Sequence, residues 1–263
     1  MKLDTILKKP NIIYNELEHS YQDKDSGIFY PSCTQVTGLF PKPYLIKWST
    51  KQNYLYMKEN WDVNQQYTEY GKEQLLKKAR FRYQEKSKES TDFGKLVHGW
   101  LENHIKGHPD LPLPKGGERA ITLFLDWEEK NIEEWLATEM MVGSSEYRSA
   151  GTLDAVAVLK GGITSLIDHK TSNEISPEYN IQTAFYWAGL KEMGFSTDSR
   201  TIIRYPKGLI RNFYDKSTGR YKEEEDVLEV KTVMSDVMDD LRVFKNLREE
   251  WDWLDANGML EKR

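Results

Sequence analysis

Cysteine occurs once in 263 residues, at Cys33. A single thiol excludes an internal disulfide, and it cannot supply a cysteine-ligated zinc or an iron–sulfur cluster. No run approaches the roughly 20 apolar residues that span a bilayer, so no membrane role is expected. The opening MKLDTILKKPNIIYNELEHS has no apolar stretch of the signal-peptide kind. With Arg80 as the first arginine, it also lacks the Arg-rich character of a transit peptide. The expected home is a reducing cytoplasm. No internal repeat is visible. The turn Asp-Lys-Asp-Ser-Gly at 23–27 superficially resembles a calcium loop, but Ile28 stands where the sixth-position glycine belongs and Thr34 where the twelfth-position glutamate belongs. What remains is 38% apolar and 30% charged. That suits one large domain, or one core with appendages.

A net charge of −5 argues at first against a polyanionic partner, yet the charge is unevenly spread. Residues 223–263, opening with EEED, carry 13 acidic and 6 basic side chains, so the rest of the chain is at +2. Within that rest, 71–88 (GKEQLLKKARFRYQEKSK) has seven Lys/Arg against two Glu, including Lys77, Lys78, Arg80 and Arg82. The stretch 42–58 interleaves four lysines with Tyr44, Trp48, Tyr54 and Tyr56. Cations that meet phosphates, mixed with rings that stack on bases, suit single-stranded nucleic acid. A solvated helix face with core aromatics would read the same way.

Residues 12–30 read as two short strands around the Asp-Lys-Asp-Ser-Gly turn. Beyond Pro41 and Pro43, helices are expected over about 45–60 and 64–88. Another at 93–106 shows Leu96, Val97, Trp100, Leu101 and Ile105 on one side. A Pro/Gly loop, GHPDLPLPKGG, leads to a helix over 118–131. Strands follow at about 135–142, 148–159 and 163–169, with Gly161-Gly162 as the hairpin signal. Pro177 opens a helix to Met193, with Gly194 where a C-cap glycine belongs. Strands at 200–205 and 209–214 are expected to complete the sheet, and a helix from about Glu224 to Trp253 closes the chain. The fold class is α/β, a mixed central sheet flanked by helices, with a mostly helical N-terminal region. Three parts are expected: 1–91, a core over 92–222, and an acidic C-terminal helix at 223–263.

The chemistry concentrates in GTLDAVAVLKGGITSLIDHKTS, residues 151–172. Asp168 and Lys170 are two apart on one strand and so point the same way, and the hairpin puts Asp154 on the neighbouring strand. Leu153, Ala155, Val156, Leu166 and Ile167 surround them. Charges in so apolar a setting are costly unless paired or bound to metal. Two close carboxylates repel, a divalent cation removes that repulsion, and oxygen ligands favour Mg²⁺, with Mn²⁺ as a substitute. A lysine beside the cation is suited to orient or deprotonate a water, or to neutralise a pentavalent phosphate. This is equipment for metal-assisted phosphodiester hydrolysis. Asp-x-Lys alone is also a common surface pair at a strand end.

Gly94-x-x-x-His98, Gly151-Thr-Leu-Asp154, Asp168-His-Lys170 and Gln182-x-x-x-Tyr186 occur in that order, and the set resembles the RecB-type branch of the PD-(D/E)XK nucleases. PSCTQVTGLFPKPYLIKW resembles the opening of phage-encoded exonucleases and of the mitochondrial genome maintenance exonuclease. The resemblance implies a restriction-endonuclease-like core in a bacterial or phage-infected cytoplasm. It implies that His98, Asp154, Asp168 and the backbone carbonyl of His169 ligate metal, with the His169 side chain structural. Lys170 would be the catalytic lysine, and Gln182 and Tyr186, sharing a helix face, would reach the scissile strand or orient Lys170. Related chains often carry a glutamate where Glu139 stands, but no role follows for it from the residues.

The activity expected is Mg²⁺-dependent DNA exonuclease action on single-stranded or frayed ends, with Lys77, Lys78, Arg80 and Arg82 meeting phosphates. Protein partners are not legible. An endonuclease on the same core would also cut closed circles, and RNA is a further substrate option. A non-catalytic DNA-binding module is the alternative of another class, and its expected mark, a lost active-site residue, is missing here.

Overall fold

A computed structural model describes residues 3, 7–15, 20–108, 111–215 and 217–260. Parts of the expected N-terminal strand region (16–19), of the Pro/Gly loop (109–110) and of the acidic C-terminal segment (261–263) lie outside the described residues. The chain forms two compact units, Met1–Phe40 with Leu96–Arg263, and Pro41–Lys95. Residues up to Phe40 group with the core, whereas the expected N-terminal part ran to residue 91. Among the described residues, no helix is long and apolar enough to cross a membrane.

The first unit opens with strands β1 (Ile12–Asn15), β2 (Ser20–Asp23) and β3 (Phe29–Tyr30) in one antiparallel sheet, where only two short strands were expected. The short helix α1 (Cys33–Thr37), also unexpected, starts from a capping box. Ser32 Oγ accepts from the Gln35 amide at 3.1 Å, and the Gln35 side chain accepts from the Ser32 amide.

In the second unit stand α2 (Tyr44–Asn60) and the first part of α3 (Glu69–Ile105). The helices expected at 64–88 and 93–106 are thus one helix, because no residue between them breaks the backbone ladder. In the connecting turn Trp61 stacks on Tyr67 with centroids 5.1 Å apart, and the Tyr67 hydroxyl accepts from the Asp62 amide. Helix α2 buries none of its residues.

The core continues with α4 (Glu118–Asn131), which buries Ala120, Ile121 and Phe124. Strands β4 (Ile132–Ser144), β5 (Ser149–Leu159) and β6 (Ile163–Lys170) form an antiparallel meander. Gly161 and Gly162 both take positive φ in the β5–β6 turn, which side chains with a Cβ rarely adopt. After α5 (Glu178–Glu192), strand β7 (Ser199–Arg204) runs parallel to β6. Gly194, at φ 92°, ends the turn that follows α5. Beyond β7 come β8 (Ile210–Asp215), β9 (Arg220–Glu225), β10 (Glu229–Thr232) and α6 (Val237–Ala256). The central sheet has the order β10-β7-β6-β5-β4. Leu153, Val156 and Leu166 cluster with Phe185 of α5 and Phe244 of α6, whereas His169 meets Phe124 of α4. Helices therefore cover both faces, and residues 165–169 of β6 are all buried.

Two expectations fail near the C-terminus. The segment 209–214 does not join the central sheet, because β8 pairs with β9 as a separate hairpin and β10 takes the sheet edge. The acidic run at 223–226 is not the start of a helix, since α6 begins only at Val237, where Asp236 caps it. Cross-strand cations explain this. Arg211 binds Glu224 and Glu229, Lys222 binds Asp215, and the buried Arg204 lies 2.8 Å from Asp226.

Candidate metal centre

Three strands and one helix bring the chemistry together within the first unit. Asp154 of β5 lies one position before the Ala155–Ile167 pair, so it neighbours Asp168 across the hairpin. Its Oδ2 accepts from the His169 amide at 2.6 Å. Its Oδ1 is 3.7 Å from His98 Nδ1, which α3 projects toward the sheet. Burial opposes ionisation of Asp154, but His98, Lys170, His169 and that amide bond together hold its carboxyl below the usual range.

Glu139 of β4 completes the group. Ligand atoms of His98, Glu139 and Asp154 all lie within 4.8 Å of one another. Glu139 has φ 46°, a left-handed conformation for a non-glycine residue in mid-strand. Such strain persists only where its surroundings enforce it. Burial, and then the charge of Asp154, push its carboxyl up to about 8. Sequence reasoning gave this residue no role. A glutamate in an apolar strand was the available signal, but the backbone twist that aims it at Asp154 has no signature in residue type.

Asp168 is engaged differently. Lys170 Nζ lies 2.8 Å from its Oδ1 and 2.7 Å from its Oδ2, and the first of these contacts has hydrogen-bond geometry. Burial and then Asp154 lift the Asp168 carboxyl to about 7 against the pull of Lys170. Although burial works against its charge, Asp168 and Asp154 hold the Lys170 ammonium above the ordinary lysine range. The group therefore stays a cation at neutral pH.

The remaining expected residues divide. The His169 ring is turned into the core, where Nδ1 is 2.9 Å from the Tyr205 hydroxyl and Phe124 stands edge-on. Burial drives its pKa down to about 3, so the ring is neutral. Its amide, rather than its imidazole, serves the acids. Gln182 and Tyr186 of α5 are 8% and 3% exposed and hydrogen-bonded to each other at 3.0 Å. They form a buried pair rather than a surface open to a strand. Gly151 makes room for Tyr186, since a Cβ there would lie 3.0 Å from its ring.

In the second unit Lys77, Lys78 and Arg80 are exposed, and none is in an ion pair among the described residues. Arg82 is not like them, for it lies 3.7 Å from Glu59, 3.6 Å from Glu85 and over the Tyr56 ring. Residues 41–95 hold 12 Lys/Arg against 7 Asp/Glu in a chain whose net charge is −5. Tyr54 and Tyr70 of this unit are 63% and 72% exposed.

One imidazole nitrogen and two carboxylates, with a third carboxylate beside them, form a nitrogen–oxygen donor set that could hold a divalent metal ion. The crowding of the acids fits a cation as well, because a divalent ion relieves what burial and mutual repulsion impose on Glu139.

No family model matches this chain, and no curated protein matches it. The crystal structure of SSO0001 is similar at a TM-score of 0.31 and 13% identity, over 80% of this chain and 86% of that one. Similarity at that level carries no argument about activity.

Proposed function

We propose that this chain is a divalent-metal-dependent nuclease of the PD-(D/E)XK type that hydrolyses DNA phosphodiesters from single-stranded or frayed ends. One observation supports the reading above all: His98 from α3, Glu139 from β4 and Asp154 from β5 stand beside the Asp168–Lys170 pair of β6.

In this reading His98, Glu139 and Asp154 hold the ion, with Asp168 next to them. A divalent ion there supplies Lewis acidity toward a phosphoryl oxygen and a water acidified enough to attack phosphorus. The His169 amide fixes the Asp154 carboxylate. The Lys170 ammonium has no lone pair with which to take a proton, so its part is to orient the water or to neutralise charge developing on phosphate. The buried Gln182–Tyr186 pair lies against β5 at Gly151. Lys77, Lys78 and Arg80, with the exposed rings of the second unit, are the candidates for holding a strand by its phosphates and bases. The one cysteine leaves no iron–sulfur cluster in the scheme.

The test uses the purified chain with end-labelled linear single-stranded DNA, closed circular DNA and RNA, in Mg²⁺, Mn²⁺ or chelator. Linear DNA should be shortened from a terminus only with metal, and circles should survive. Asp154→Ala, Asp168→Ala and Lys170→Ala should each remove nearly all cleavage while the circular dichroism spectrum is kept. Intact linear DNA under every metal condition, or wild-type turnover from any of the three variants, overturns the assignment. Cut circles would make the enzyme an endonuclease, and preferential loss of RNA would change the substrate.

A further inference from the structure

Lys170 is held by more than its carboxylate. Its Nζ lies 4.9 Å from the centroid of the Tyr179 ring, at the start of α5. The lysine side chain is 16% exposed, so this cation–aromatic contact is largely shielded from water, where such contacts are strongest. In the loop between Lys170 and Tyr179, Ser172 Oγ donates to the Glu174 carbonyl at 2.7 Å. The Tyr179 amide donates to the Ser176 carbonyl at 3.1 Å. The loop that leaves β6 after Lys170 thus folds back and places an aromatic face on the ammonium.

We propose that Tyr179 is a positioning residue for Lys170, an aromatic seat that keeps the ammonium at the site when Asp168 is drawn toward another cation. The proposal rests on the nuclease reading for its consequence, but its geometry stands alone. Among the described residues, Lys170 has one hydrogen-bonded anion, Asp168, which neighbours Asp154 of the donor set across the hairpin. A carboxylate shared with a second cation holds an ammonium less firmly. The face of Tyr179 cannot ligate a hard divalent ion, so its hold on Lys170 is not given up in the same competition. The seat requires a ring and does not require the hydroxyl.

That distinction sets the experiment. Tyr179→Phe keeps the ring, and Tyr179→Leu removes it. In the metal-free full chain labelled with ¹³C-lysine, the ε-methylene signal of Lys170 is assigned by its loss in Lys170→Arg. Ring-current shielding should hold that signal upfield in wild type and in Tyr179→Phe, and release it downfield in Tyr179→Leu. On end-labelled single-stranded DNA with Mn²⁺, Tyr179→Leu should lose about tenfold in kcat at unchanged KM, equivalent to about 1.4 kcal/mol. Tyr179→Phe should turn over as wild type does.

A Lys170 signal that does not move in Tyr179→Leu overturns the seat, as does a Phe variant as impaired as the Leu one. If wild type cleaves no nucleic acid, the nuclease reading fails, and the methylene shift still decides the seat by itself. If Tyr179→Leu does not fold, the upfield position in wild type and its retention in Tyr179→Phe carry the decision.

Discussion

Replacing Glu139 with glutamine should stabilise the metal-free protein at high pH and leave it nearly unchanged at low pH. The carboxyl stands at about 8 in the fold against an ordinary 4.5, because it is buried beside Asp154. A raised acid binds its proton more tightly when folded. The stability this confers is present below the unfolded pKa and is lost as pH rises from about 4.5 through 8. At 1.36 kcal/mol per unit, the full shift would correspond to about 5 kcal/mol. Glu139 is only partly buried, and solvent screening reduces this to about 2 kcal/mol. For a domain of this size that is about 5 °C in melting temperature. The assay is a melting curve of wild type and Glu139→Gln in chelator at pH 5 and at pH 9. The variant should melt with wild type at the lower pH and about 5 °C above it at the higher. Metal should reverse the order, since an ion at a hundred times its Kd stabilises by about 2.7 kcal/mol, and the variant has lost a ligand. An offset that is the same at both pH values would refute the raised Glu139 carboxyl. An equal Mn²⁺-induced shift in the two proteins would remove Glu139 from the donor set.

Three further outcomes follow from single side chains or small groups of them. His98→Ala removes the one nitrogen donor, so half-maximal cleavage should need more metal and Mn²⁺ should rescue better than Mg²⁺; a metal titration that overlays wild type would take His98 out of the site. Replacing Lys77, Lys78 and Arg80 together with alanine should lower the slope of log affinity against log salt by about 2 for single-stranded DNA, at roughly 0.7 for each phosphate no longer neutralised. Arg82→Ala should change that slope little, because Arg82 is already paired with Glu59 and Glu85; an unchanged slope in the triple variant would mean that other residues meet the phosphates. Arg204→Met should cost about 3–5 kcal/mol by leaving Asp226 buried without its partner, and urea unfolding measures it; a loss below about 1 kcal/mol would place the pair among surface bridges.

The α/β class, the β5–β6 hairpin and the side-by-side placement of Asp154, Asp168 and Lys170 were readable from residue types, because alternation and Gly161-Gly162 act locally. A strand's pleat puts Asp168 and Lys170 on one face wherever that strand finds partners. Tertiary structure alone decided the rest. The acidic run at 223–226 looks helical in isolation and becomes strand and turn because Arg204 and Arg211 arrive from β7 and β8 to pair with it. Gln182 and Tyr186 share a helix face, but whether that face meets solvent or core depends on β5, where Gly151 lets Tyr186 in. Glu139 is the sharpest case. Its carboxylate joins His98 and Asp154 only through a left-handed residue in β4, and such a twist follows from the long-range packing of strands and helix rather than from neighbouring residues.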